Sequence, residues 1–490
     1  MNVTLKLSAA SASVMLALAI SACADGVALE DYDAGVRNQQ LRSPELNAQC
    51  FSTQNGTDAT YTVMTWPVVY GAGGYRVSVD IVDDPQHPVA VVADSLVDGC
   101  SLTFVQQEDT KYQIRIQSAA NEALGNTASE VLVYDDYTTL VAATTVPAGE
   151  NLASFIRSHL STGSTDVQAF ELAAGATYEV ADTIAFGKQQ VQLRGDKNSH
   201  ATIVFKGAAC ITTQAALTVK FINFDCEQTI AAPISLDPSP DSTFYYTEEP
   251  WASRYGGSQK VFYLDGDIML KDCTFREVKG SLFSGSNANW ALTRLIINNC
   301  IAEADYSTID AFISMYGAST GTIQHLQLVN STFYNLQENT TGYFLRLSNA
   351  SNAQPQKIYG AAGQGSVSIQ HCTFVKMMSG SNWWNNYVSK SNVTFTVKDN
   401  VFYDTWRIQK AIGNCAVNFT IDDNVTWSDL EDYPVDTTDK TKYATEDDPG
   451  MSCPTASVLD FNASPCYGLD AYFRPTKGIA SSRGMGDTRY

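Results

Sequence analysis

The chain is poor in histidine and in basic residues. Its five His stand at 87, 159, 200, 325 and 371, too scattered for a His-rich metal site. Lys plus Arg number 31 against 52 Asp plus Glu, a formal charge of −21. So acidic a surface repels phosphate backbones, which argues against nucleic acid as a partner. It repels polyanionic sugars too, unless a local basic patch or a bridging cation intervenes. The sequence has no phosphate-cradling Gly loop, no zinc spacing, no prominent Ser-His-Asp arrangement and no compact acidic set at a calcium-ligand spacing. Beyond residue 22 no apolar run is long enough to span a membrane. What the chain does have is apolar matter: 44% of its 490 residues are hydrophobic, with 32 Gly and 15 Pro. That is enough for a core in two or three domains, and it excludes collagen, low-complexity polymers and intrinsic disorder.

Residues 1–22 read as an export signal, with Lys6 in a short leading stretch and an apolar run from Ala9 to Ile20. The run ends in Ile20-Ser21-Ala22-Cys23, which resembles a bacterial lipobox. That resemblance implies acylation of the Cys23 thiol and a lipid anchor in the outer membrane, with the protein facing the cell exterior. An ordinary export signal with an incidental cysteine is the alternative. Residues 23–45 form a tether, where Asp25, Glu30, Asp31 and Asp33 resemble the surface-export stretch of Bacteroides-type lipoproteins. Of the 11 cysteines, those other than Cys23 would lie in an oxidising setting where disulfides form. Cys50 with Cys100, and Cys453 with Cys466, are candidate pairs.

Residues 46–136 show short alternating strands and turn signals, which argue for a small β-sandwich. Thr62-Val63-Met64-Thr65-Trp66-Pro67 precedes Gly74-Tyr75-Arg76-Val77-Ser78-Val79, and Tyr112-Gln113-Ile114-Arg115-Ile116 follows. This stretch resembles a fibronectin type III domain, with Trp66 in the core and Tyr112 at the tyrosine corner. The resemblance implies a spacer or docking module, and no chemistry is assigned to it.

From residue 138 onward one phrase recurs, apolar-x-apolar-x-Asp/Asn-Cys/Asn/Ser-x-Phe. Its copies begin at Ile268, Leu326, Val367 and Phe395, with partial copies at Leu295 and Phe419 and a looser one at Leu217. The spacings between successive copies are 51, 27, 31, 41, 28 and 24 residues. A base period in the twenties fits one coil of a right-handed parallel β-helix, and the longer spacings mark loops inserted on that scaffold. Alternating apolar residues stack from coil to coil, and the polar turn residues form a ladder with Cys273, Cys300 and Cys372 among its rungs. Leu152, Phe155, Ile156 and Leu160 have the spacing of an amphipathic capping helix. The expected fold class is therefore all-β, a small β-sandwich followed by a right-handed parallel β-helix over 138–490 with C-terminal loops. This region resembles the pectin-lyase-like superfamily, and more narrowly β-helical lipoproteins of Bacteroides-type polysaccharide-utilisation loci. The endings Asp470–Pro475 and Gly484–Tyr490 resemble the terminal phrase of those proteins.

A short strand is expected before each phrase, at 261–264, 312–316, 343–347, 387–390 and 408–411, stacking into a second parallel sheet. In that register Arg346, Lys390 and Lys410 come from successive coils and line one groove, with Asp310 near the same face to orient Arg346 or help hold a cation. The superfamily's lyases abstract the proton α to a uronate carboxylate with an Arg or Lys base. Ca²⁺ or further cations neutralise the carboxylate, so calcium is the cofactor expected if the chain is a lyase. Ordinary solvated side chains are the alternative reading of these cations. The insertions are rich in aromatics: Tyr246 and Trp251 in one, Trp290 in another, and the pair Trp383-Trp384 between Asn382 and Asn385. Such rings either stack on sugar faces or fold back over the helix. The leading expectation is a cell-surface lipoprotein that binds a pectin-type acidic polysaccharide, together with other glycan-uptake proteins. A polysaccharide lyase or hydrolase is the runner-up, and a structural or adhesive protein the third reading.

Overall fold

The computed structural model describes residues 36–57, 59–161, 163–244, 262–286, 288–316, 321–338, 340–347, 365–378, 383–385, 393–405, 418–429, 444–463 and 466–490. The fold is all-β, with small antiparallel sheets followed by long parallel sheets of the β-helix type. The chain divides into two compact units between Val141 and Ala142.

In the first unit, strands Phe51–Asn55, Thr60–Thr65 and Ser101–Val105 form a three-stranded antiparallel sheet. Val89–Val97, Tyr75–Ile81, Tyr112–Ser118 and Leu132–Tyr134 form a four-stranded one, in that order. Period-two alternation turns Tyr75, Val77 and Val79 inward together with Tyr112, Ile114 and Ile116, against Met64 and Phe104. Trp66 is buried in this core, edge-on to Tyr75 at 5.3 Å. The Tyr112 hydroxyl accepts the Gln107 amide at 2.8 Å. The expected Cys50–Cys100 disulfide is absent. Cys50 Sγ lies 3.9 Å from the Glu45 carbonyl and Cys100 Sγ 3.7 Å from the Tyr75 hydroxyl, so each thiol has a different oxygen neighbour.

The second unit winds through three parallel sheets; from Gln168 to Asn385 each coil contributes a strand to the first, second and third in turn, and the last two coils contribute described strands to the first and second. In the first sheet the copies of the repeated phrase stack position on position: Leu217, Ile268, Leu295, Leu326, Val367, Phe395 and Phe419. After each of these strands the backbone enters the left-handed region, with φ between 46° and 57° at Phe221, Asp272, Asn299, Asn330, His371, Asp399 and Asp423. Asp and Asn tolerate that conformation best among residues with a side chain, which explains their recurrence in the phrase. Their side chains also join in a row: Asn330 Nδ2 donates to Asn299 Oδ1 at 2.9 Å, and Asn299 donates to Asp272.

The next residue points inward and closes the ladder. Asn424 Oδ1 accepts the Asn400 amide at 3.2 Å, Asn400 Oδ1 the Cys372 amide at 2.9 Å, and Ser331 Oγ the Cys300 amide at 3.0 Å. Cys273, Cys300 and Cys372 are fully buried thiols on these rungs, and burial pushes the Cys273 and Cys372 thiols far above their ordinary range. Below the ladder run ring stacks, Phe224 on Phe275 at 4.7 Å and Phe374 between Phe333 and Phe402, each at 5.2 Å. Helix Leu152–His159 caps the first coil, with Leu152, Ala153 and Ile156 buried and the Asn151 side chain accepting the Ser154 amide at 2.9 Å.

Two expected strands fall elsewhere. Phe262–Leu264 is the start of strand Phe262–Lys271, which runs through an irregularity at Leu264/Asp267 and pairs with Trp290–Asn298 in the first sheet. In the third sheet, the strand after Thr341–Arg346 is Trp384–Asn385, ahead of the expected 387–390, which lies outside the described residues.

The C-terminal segment, from Met451 on, is a strap over the outer face of the second sheet. Met451, Leu459, Leu469, Phe473 and Met485 cover Ile301, Tyr334, Val375, Val401 and Tyr403. Asp487 accepts the Thr332 hydroxyl at 2.8 Å and pairs with Arg489, whose guanidinium donates to the Cys300 carbonyl at 2.7 Å. Cys453 and Cys466 are not bridged either: Cys453 Sγ faces the Asn335 carbonyl at 3.6 Å and Cys466 Sγ the Arg489 carbonyl at 3.3 Å.

Candidate functional site

The third sheet carries a polar row on its outer side. Ile211, Ile234, Phe283, Ile313 and Leu345 turn into the core. The residues that follow them stack as Thr212, Ser235, Ser284, Ser314, Arg346 and Asn385. Adjacent rungs lie about 4.8 Å apart. Ser314 Oγ meets Ser286 Oγ at 2.9 Å and approaches Asp310 Oδ2 at 3.4 Å.

Arg346 ends the run of hydroxyls. It forms an ion pair with Asp310 of the neighbouring strand. Its guanidinium lies over the Tyr316 ring at 3.4 Å from the centroid and 5.3 Å from that of Tyr343. The side chain is 20% exposed, and its buried Nε has no hydrogen-bond partner. Burial holds the guanidinium below its ordinary value, whereas the Asp310 carboxylate favours the charged form by its position. A planar cation with one edge taken by a carboxylate and its faces against aromatic rings is suited to donating to an anion or a hydroxyl. It is a poor base as long as Asp310 is ionised.

The structure thus brings Asp310 and Arg346 together and adds Tyr316 and Tyr343, which sequence reasoning missed. Both tyrosines belong to strands expected from the pattern. Tyr316 follows Ser314, the register partner of Arg346, by two residues and shares its face by alternation, whereas Tyr343 sits next to an irregularity in the pairing between Thr308 and Ala311. Lys390 and Lys410 lie outside the described residues, as do Tyr246, Trp251 and Cys23. The register position beside Arg346 is held by Asn385.

Two of the candidate sugar platforms are core residues. Trp290 is fully buried, tilted against Phe262 at 5.6 Å, with its Nε1 donating to the Asp237 carbonyl at 2.8 Å. Trp383 is 1% exposed, stacked on Phe344 at 4.9 Å and edge-on to Phe374 at 4.8 Å. Both fill the inside of the coil, where a large ring removes the most apolar surface from water. Trp384 lies in the third-sheet strand opposite Leu345. Among the described residues no group of three or more His, Cys, Asp or Glu is placed to hold a metal ion, and no helix is long and apolar enough to cross a membrane.

Comparison with known families adds two matches. One family, described as a domain of unknown function, matches residues 4–183, running from the N-terminus across the first unit into the capping helix and first coil. Another domain of unknown function (DUF4957) matches residues 176–336, the next coils of the helix. No curated protein and no solved structure matches the chain.

Proposed function

We propose that this chain is a surface-tethered glycan-binding protein whose β-helix takes a pectin-type acidic polysaccharide along the outer face of the third sheet. The observation that carries the reading is Arg346, held by Asp310 and set against Tyr316 and Tyr343 at the end of the Thr212–Ser314 row. A uronate carboxylate pairs with a guanidinium, tyrosine rings cover sugar C–H faces, and the half-buried hydroxyls of Ser235 and Ser284 answer sugar hydroxyls. On a chain of formal charge −21 such a local cation is what an acidic glycan needs.

The first unit fits a fibronectin type III-like spacer. Its three-plus-four strand order, the buried Trp66 and the Tyr112 hydroxyl bonded to upstream backbone support that assignment. Acylation at Cys23 would place the spacer between an outer-membrane anchor and the helix.

A lyase at the same place is the second reading, favoured by one feature: an arginine stands on the outer face of the third sheet, oriented by Asp310. One experiment separates the two. The purified protein is incubated with pectic and neutral polysaccharides in the presence of Ca²⁺ while the ultraviolet absorbance of unsaturated uronates is followed. Parallel native gels contain the same polysaccharides. Retarded migration with a flat absorbance trace, relieved by Arg346→Ala, supports binding. A rising trace lost in Arg346→Ala supports elimination. A flat trace and no retardation rejects both and leaves a structural or adhesive role.

A further inference from the structure

The outer face of the second sheet changes character along the helix. In the later coils its outward positions include the apolar Ile301, Tyr334, Val375, Val401 and Tyr403, which the strap covers closely, and Thr332 and Thr373, which bond Asp487 of the strap. In the early coils the corresponding rows read Thr177, Thr202, Asn223 and Thr274, and beside them Glu179, Val204, Asp225 and Arg276. Here the strap stands off and leaves a cavity of about 440 Å³ between sheet and strap. Pockets that hold small molecules span about 300–1,000 Å³.

The walls carry paired rather than free charge. Arg276 forms an ion pair with Asp225 from the neighbouring strand and lies over the Phe461 ring at 4.8 Å from its centroid. His200 Nδ1 meets the Tyr467 hydroxyl at 3.1 Å. Burial holds the His200 imidazole below its ordinary value, against the pull of Asp272 and Asp196, so the ring is neutral at neutral pH. Asn223, 1% exposed, lines the cavity beside His200, with which its side chain interacts.

We propose that this cavity is a second binding site, for a neutral, hydroxyl-rich ligand one or two sugar rings in size, held between the second sheet and the strap. Asp225, Arg276, Thr202 and Asn223 supply donors and acceptors from the sheet side, and Phe461 supplies an apolar face from the strap. Arg276 is held by Asp225, whose side chain is only 11% exposed against 47% for the Asp310 beside Arg346, so this cation is less free to turn to a phosphate or a uronate, and the polar sheet wall disfavours an apolar ligand. The site lies on a different sheet from Arg346 and does not depend on the reading given for that residue.

Calorimetric titration of the purified protein with neutral mono- and disaccharides, and with galacturonate as the charged probe, tests this. At least one neutral sugar should bind saturably. Val204→Trp, which fills the cavity from an outward position, should weaken it by at least about tenfold, and Phe461→Ala, in the strap, should weaken it as well. Unchanged thermal melting and circular dichroism establish that each variant is folded; should Val204→Trp fail to fold, Phe461→Ala alone decides. The proposal is overturned if no neutral sugar binds, if only galacturonate does, or if neither folded variant alters binding. Weakening by Arg346→Ala in place of the cavity variants assigns the sugar to the third sheet and overturns it too.

Discussion

Arg346 illustrates how much a single side chain depends on its counter-charge. Asp310 neutralises it, so the site offers an acidic glycan an oriented dipole rather than a net positive charge. Removing that carboxylate and removing the guanidinium should therefore act in opposite directions. Asp310→Asn is expected to tighten binding of polygalacturonate several-fold and to steepen its salt dependence, since about 1 kcal/mol of competing ion pair is lost. Arg346→Ala should weaken binding by at least as much. Affinity gels at two ionic strengths measure both, and a loss of binding in Asp310→Asn would contradict the role given to Arg346. The proximity of the two residues was legible in the sequence, because both follow from strands stacked in register. The ring of Tyr343 was not, because it sits next to a backbone irregularity that interrupts the pairing.

A coil of this helix is held by its turn as much as by its strands. The left-handed residue and the inward polar residue after it form one device, and Asn400 is a member bonded on two coils. Its Oδ1 accepts the Cys372 amide, and its Nδ2 donates to the Ile369 carbonyl at 2.8 Å and to Asn424 Oδ1 at 2.9 Å. Asn400→Ala strands buried backbone groups on two coils, and a loss of about 2–4 kcal/mol is expected in urea unfolding. Asn400→Ser should lose less, since Ser331 holds the equivalent amide of the Cys300 rung with a hydroxyl. Equal losses in the two variants would mean that volume, not hydrogen bonding, matters there. The recurring Asp/Asn-Cys/Asn/Ser motif announced this ladder in the sequence, because a positive φ and an inward polar rung leave few residue types acceptable. The tryptophans misled for the opposite reason. Ser, Gly and Asn around Trp383 suggest a loop, whereas the ring has gone where apolar contact is greatest.

The strap ties residues far apart in sequence into one molecule. Arg489 and Asp487 form a buried pair at its end, with side chains 10% and 0% exposed. Arg489→Met leaves the Asp487 carboxylate buried without its partner and should cost about 3–5 kcal/mol. The double variant with Asp487→Asn should recover part of that loss, which denaturant titrations of both proteins measure. A double variant no more stable than the single one would show that packing of the strap, not its ion pair, sets the cost.

Acid should act through the other end of the strap. His200 has its folded value depressed by burial, so the unfolded chain takes up the proton first as the pH falls. Its stabilising contribution is full above the unfolded value of about 6.5 and is lost as the pH falls through the folded one. Glu303 and Asp404 run the other way. Burial raises both, so their contributions are present in acid and fade as the pH rises through their folded values. The His200 effect is therefore read as a difference: between about pH 7 and pH 5, the Tm of His200→Gln should fall less than that of the unaltered protein. Parallel Tm curves would exclude His200 as a source of acid sensitivity.

By itself the sequence determined the repeat, the all-β class, the ladder of polar turn residues and the strands that bring Asp310 to Arg346. These follow from periodicity and from backbone limits that act over a few residues. Only the tertiary structure decided which tryptophans are core, that the candidate disulfide partners stand as separate thiols, and where the strap lies. It also decided that the early coils of the second sheet keep a polar cavity beneath the strap. Each of those outcomes depends on which surfaces meet once the coils have stacked, a contact between residues as distant as His200 and Tyr467 that no local pattern encodes.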